Sequence, residues 1–189
     1  MSSRVRIFVE GKTDKELLEA VLAGCFPHIS TTVDIKPCGG LPGLSKQRPQ
    51  LQENTDNGGI NLIVFDADNN PEQRRQDLIQ QLADMGQSCP IFLFPDNQSP
   101  GQQEALLREM ATISDFFTCW DHFQQCLQHL NQAYHTDHHQ MVYAYEQVYL
   151  EKDEMKGPRF QGSAARLWNI TPNTPALKAL CTFLSSYIR

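Results

Sequence analysis

The 189-residue chain has a formal net charge of −6, with 40% hydrophobic and 20% charged residues, the balance of a globular chain and not of a disordered or membrane one. That charge excludes a protein that coats nucleic acid through a broad basic surface, but not an enzyme that meets phosphate through a metal ion. No apolar run approaches the ~20 residues needed to cross a bilayer, and the N-terminal residues lead straight into a strand-like run, so the expected location is cytoplasmic.

The six cysteines contain no C-x-x-C pair and no tight framework spacing, which reads as reduced thiols. Without a Gly/Ser- or Pro-rich linker, one domain is expected over residues 1–189, an α/β core to about residue 112 followed by a helical extension.

Val5 to Val9 is short, β-branched and apolar and stops at Glu10-Gly11, which predicts a buried strand entering a tight turn. Thr13 with Glu16 three residues on has the form of a capping box, and Leu17, Leu18, Val21 and Leu22 supply an apolar stripe for the helix that follows. Thr32 to Lys36 reads as a weaker strand, followed by a glycine-rich loop from Cys38 to Gly43 and an amphipathic stretch kinked at Pro49. The clearest strand is Ile60 to Phe65, set up by Asn57-Gly58-Gly59 and ending in Asp66-Ala67-Asp68. Asn70 as cap and Pro71 in the first helical position predict a helix over Glu72 to Met85. Pro90 to Phe94 makes a fourth strand, and a further helix begins near Gln102. Strands alternating with helices predict a mainly parallel four-stranded sheet with helices on its faces.

Beyond residue 112 the pattern is helical. Phe116, Trp120, Phe123, Leu127 and Leu130 share one face and are expected in the core. Helices are also expected over Met141 to Leu150 and Pro175 to Tyr187, with a loop from Lys156 to Gly162.

In open parallel sheets ligands bind beyond the carboxyl ends of the strands, and Glu10 and the Asp66/Asp68 pair both fall at such ends. Spaced two apart at the end of an extended segment, Asp66 and Asp68 can face the same side. Oxygen ligands of this kind suit Mg²⁺, which takes one or two carboxylates together with water and substrate phosphate. A lone D-x-D is as readily a solvated or helix-capping pair; two separated acidic motifs that would repel one another without a compensating cation carry the reading. Lys12, Lys15, Arg74 and Arg75 lie beside these motifs in sequence.

The segments Phe8-Val9-Glu10-Gly11-Lys12-Thr13-Asp14 and Val64-Phe65-Asp66-Ala67-Asp68 resemble the TOPRIM pattern, a strand-terminal Glu-Gly followed by a strand-terminal D-x-D. The E-G-x-x-D form is similar to that of the overcoming-lysogenization-defect nucleases. The stretch from Phe94 to Leu107, Val142 to Tyr145 and Phe160 to Gly162 resemble a group of stand-alone prokaryotic TOPRIM-like proteins. The resemblance implies a Rossmann-like TOPRIM fold with a C-terminal helical extension and a Mg²⁺ site that also accepts Mn²⁺. It further implies DNA or RNA as substrate for a nuclease or nucleotidyl transferase. In it Asp66 and Asp68 hold the metal, Glu10 is general acid/base or a further ligand, and Asp14 and Glu104 are additional ligands. Asp14 and Glu104 also sit in first turns of predicted helices, where negative charge is favourable without any metal. Asn70 stands where the topoisomerase pattern D-x-D-x-D has its third acid, which departs from a topoisomerase-like second metal.

Two other classes compete with this reading. One is a non-catalytic module that acts through a protein partner or a homo-oligomer; the other is a phosphatase built on D-x-D. Gly11-Lys12-Thr13 does not complete a P-loop, because Arg6 occupies the position of its first glycine. Cys119, His122, Cys126 and His129 spread over three helical turns, too far for one tetrahedral ion, and are expected to border the core. His135, His138 and His139 are expected on the surface of an inter-helix turn.

Overall fold

The computed structural model describes residues 4–129 and 138–188. Four strands, β1 (Arg4–Val9), β2 (Thr32–Pro37), β3 (Ile60–Asp66) and β4 (Ile91–Phe94), form one sheet in the order β2-β1-β3-β4, and each neighbouring pair is parallel. β1 and β3 are therefore adjacent, with Val9 opposite Val64. From β1 the chain moves first to one side, to β2, and then to the other, so the carboxyl ends of β1 and β3 flank the point where strand order reverses. Crevices of open α/β sheets lie at such points.

The strands are apolar at almost every position because both faces of the sheet are covered. Alternation still divides them. Val5, Ile7, Val9, Leu62, Val64, Phe92 and Phe94 join one core, and Phe8, Ile63, Phe65, Ile91 and Leu93 join the other. The first core is closed by Leu17, Leu18 and Val21 of α1 (Lys12–Cys25), by Leu106, Leu107 and Met110 of α5 (Gln103–Met110), and by Leu180 and Leu184 of α8 (Lys178–Ser185). The second is closed by Leu44 at the end of α2 (Gly40–Leu44), Leu51 of α3 (Arg48–Asp56), and Leu78 and Leu82 of α4 (Pro71–Asp84). Arg6 points into this second layer and is only 3% exposed. Its charge is satisfied by Asp34 at 3.2 Å and Glu53 at 3.1 Å, and it donates to the Gln50 carbonyl at 2.5 Å.

Local expectations differ from the structure at two helix starts. α1 begins two residues earlier than the Thr13/Glu16 pattern indicates: Gly11 is its cap residue, and Asp14 Oδ2 accepts the Gly11 N–H at 2.7 Å. Pro49 does not kink a helix but occupies the first turn of α3, where its missing N–H costs nothing. Asn70 caps α4 as expected, its side chain accepting the Gln73 N–H at 3.1 Å.

α6 (Asp115–His129) and α7 (His138–Tyr149) follow α5. The residue that α6 buries is Phe117, outside the expected stripe; Phe116, Trp120 and Leu127 are half-buried and Phe123 is exposed. Leu130 lies outside the described residues. Cys119, His122, Cys126 and His129 are exposed and do not border the core. Tyr145 on α7 is fully buried among Phe116, Phe117, Tyr149 and Trp168. Its hydroxyl accepts the Ile113 N–H at 3.3 Å and donates to the Leu167 carbonyl at 3.2 Å. All six cysteines are free, and among the described residues no helix is long and apolar enough to cross a membrane.

Candidate functional site

Glu10 follows the last residue of β1. Its main-chain carbonyl accepts the N–H groups of Gly39 at 2.9 Å and Gly40 at 3.3 Å, which ties the loop after β2 over the end of β1. Gly40 holds φ +75°, a conformation that a side chain disfavours, and a Cβ there would lie 3.7 Å from Glu10 Oε2. Glu10 Oε1 accepts the Asp66 N–H at 3.1 Å, so the first acidic motif is bonded directly to the second. The same oxygen pairs with Arg74 Nη2.

Asp66 closes β3, and its Oδ1 accepts the N–H of Gln103 at the start of α5 at 2.8 Å. Burial first, and then the charges of Asp14, Glu10 and Glu104, push its carboxyl up to about 8 against that hydrogen bond. Asp14 is pushed up to about 6, again chiefly by burial; the Gly11 N–H opposes the shift while Glu10 and Glu104 add to it. The favourable helix N-terminus is thus outweighed at Asp14 by its buried, acidic surroundings.

Asp68 is not a continuation of the strand. It adopts φ +52°, accepts the Gly101 N–H at its carbonyl (2.7 Å), and is exposed beside Gln102 Nε2 at 3.4 Å and Arg74 Nη2 at 3.6 Å. Glu104, on the first turn of α5, is only 3% exposed. One of its oxygens lies 2.5 Å from His139 Nδ1 and the other, Oε2, is buried without a partner among the described residues.

Glu10, Asp14, Asp66, Asp68, Glu104 and His139 line one cavity of about 320 Å³. The structure therefore brings together the five acids singled out from sequence. His139 is exposed as expected, but it stands in the first turn of α7 and not in a turn between helices, and it lines this cavity; His138 shares that helix start, and His135 lies outside the described residues. Of the nearby basic residues, Arg74 enters the site. Arg75 braces the loop after β4 through Asn97 Oδ1 at 2.6 Å, Lys15 pairs with Glu19 at 3.6 Å, and Lys12 is exposed. Gln103 went unnoticed in the sequence, since its main-chain N–H, which any residue there but proline would supply, makes the contact. Cys38 beneath the loop donates its thiol to the Val9 carbonyl at 3.0 Å, and burial with Glu10 nearby pushes it up to about 12, so it remains a thiol and not a nucleophile.

Among the described residues, no three His, Cys, Asp or Glu side chains form a preassembled cation cage. Two other features fit a cation. Glu104 Oε2 is a buried carboxylate oxygen unpartnered among the described residues, and neighbouring carboxylates add to burial in raising Asp14 and Asp66. Apart from the His139 imidazole the side-chain donors that converge here are oxygens, the ligand type that Mg²⁺ takes. A larger cavity of about 660 Å³, lined by Glu16, Ala20, Phe160, Trp168 and Ile170 among others, lacks this convergence of acids.

A family model described as "Protein of unknown function (DUF3226)" matches residues 4–189. The chain belongs to that family. No curated protein and no solved structure matches it. For this DUF3226 member the site's own geometry has to carry the functional reading.

Proposed function

We propose that this protein is a TOPRIM-type, Mg²⁺-dependent phosphodiester-processing enzyme, nuclease-like in its chemistry, with Mn²⁺ able to replace Mg²⁺ and with DNA or RNA as substrate. The observation that carries the reading is the gathering of Glu10, Asp14, Asp66, Asp68 and Glu104 around one cavity at the switch point of a parallel sheet. Its excess charge is of the sign that a divalent cation offsets.

In this reading Asp66 and Asp68 hold the metal, with Glu10 as general acid/base or a further ligand and with Asp14 and Glu104 completing the acidic surround. When bound, Mg²⁺ supplies a Lewis acid that offsets phosphate charge and lowers the pKa of a coordinated water. Burial and the neighbouring acids push the Asp66 carboxyl up to about 8, so a metal held there would compete with a proton. The Gln103 N–H fixes the orientation of that carboxylate, and the Glu10–Asp66 main-chain bond keeps the two strand ends in register. Without a cation the cavity repels phosphate, so substrate binding follows the metal.

Incubation with single- and double-stranded DNA and RNA in Mg²⁺ or Mn²⁺ tests the proposal. Cleavage should appear with at least one substrate and vanish in an Asp66→Asn/Asp68→Asn variant. Turnover that survives in the variant, or none in the native protein, refutes it.

A second reading is a non-catalytic module acting through a protein partner or a second copy of itself. The observation in its favour is that Arg74 already neutralises Glu10. No turnover together with a stable partner in pull-down, or a dimer in light scattering, would decide for it. Asp66-dependent hydrolysis of small phosphomonoesters would instead point to the D-x-D phosphatase.

A further inference from the structure

Arg74 lies in α4 directly after the turn that carries Asp68. Its main-chain N–H donates to the Asn70 carbonyl at 3.0 Å, and the Asn70 cap fixes the start of the helix, so the base of the side chain is firmly placed. The guanidinium lies 5.7 Å over the Phe65 ring, donates from Nε to the Asp66 carbonyl at 3.2 Å, pairs with Glu10, and stands 3.6 Å from Asp68 Oδ2. Only 15% of the side chain is exposed.

The contacts of Arg74 thus come from the end of β1, the end of β3 and the D-x-D turn, the three places from which the acidic site is built. A guanidinium keeps its charge at any ordinary pH. In the metal-free protein it therefore sits as a fixed cation between Glu10 and Asp68, where a divalent ion bound to those carboxylates would meet like charge.

We propose that Arg74 is a tethered counter-cation which an incoming divalent metal displaces from Glu10 and Asp68, so that this residue sets the metal affinity of the site. The inference rests on the metal-dependent reading above. It accounts for a largely buried arginine held between the carboxylates of Glu10 and Asp68. It also separates Arg74 from Arg75, which bonds to Ile91 and Asn97 and faces none of the five acids.

The test is Mn²⁺ binding, followed by calorimetry on the native protein, Arg74→Gln, Arg74→Lys and Asp66→Asn/Asp68→Asn. Loss of the competing charge should make Arg74→Gln bind Mn²⁺ about tenfold more tightly, while Arg74→Lys, which keeps the charge, stays within about threefold of the native protein. Should Arg74→Gln not fold, the native protein supplies the second readout: its Arg74 Nε–H resonance, assigned through Arg74→Lys, should shift as Mg²⁺ fills the site. Equal or weaker Mn²⁺ binding by folded Arg74→Gln, or a stationary Arg74 resonance during saturable Mg²⁺ binding, overturns the inference and leaves the metal reading standing. Mn²⁺ binding that is absent from the native protein, or unchanged in Asp66→Asn/Asp68→Asn, overturns both.

Discussion

Replacing Asp66 by Asn removes a titratable group from the acidic cavity while keeping the oxygen that accepts the Gln103 N–H. In the folded, metal-free protein the carboxyl is pushed from 3.8 to about 8, by burial and then by Asp14, Glu10 and Glu104. Between these two values the folded state holds a proton that the unfolded chain has released, so stability falls as pH rises, and the whole loss is reached above about 8. At ~1.4 kcal/mol per pH unit the interval corresponds to an upper value of about 6 kcal/mol. Asp14, pushed up to about 6, acts in the same direction at the lower end of the range, so the interval from pH 6 to 8 reports mainly on Asp66. With ~2.5 pH units lying between pH 5.5 and the raised Asp66 value, urea unfolding in EDTA at pH 5.5 and 8.5 should show the native protein losing up to about 3 kcal/mol more than Asp66→Asn. Equal losses in the two proteins would refute the account of the site as an assembly of uncompensated buried charge.

The fold makes two further demands. Gly43→Ala would place a Cβ 1.7 Å from the Cys38 carbonyl oxygen, a clash between main-chain segments that no side-chain rotation relieves; a loss of about 3 kcal/mol or more, read as a lower thermal midpoint, is expected. Asn70→Ala removes the side-chain acceptor for the Gln73 N–H at the start of α4 and should cost ~1 kcal/mol in urea unfolding; an Asn70→Asp variant should restore most of that loss.

Much of the α/β core was legible locally. Val5 to Val9 and Ile60 to Phe65 are apolar and β-branched between turn signals, and a run of that kind has few ways to bury itself other than as an interior strand. The cap at Asn70 and the proline after it acted within one turn of helix, so their outcome was already contained in the local sequence. The start of α1 was misjudged because both Thr13/Glu16 and Gly11/Asp14 offer a first-turn pattern, and the choice went to the residue at which the chain leaves β1. In α6 Phe116 and Trp120 of the expected stripe do pack against the core, yet burial depends on what faces the helix, and the residue that is buried is Phe117.

The acidic site divides along the same line. By itself the sequence determined that Glu10 and Asp66 end strands and that Asp68 lies just beyond, because strand formation and turn chemistry are short-range. Only the tertiary structure decided that β1 and β3 are neighbours, so that Glu10 bonds to the Asp66 main chain. It likewise decided that Asp14 and Glu104 face inward and not into solvent, that Arg74 neutralises Glu10, and that His139 arrives from α7 to meet Glu104. These contacts join residues up to 64 positions apart. Strand order and helix docking set them, and both follow from the burial of all the apolar faces together rather than from any local pattern.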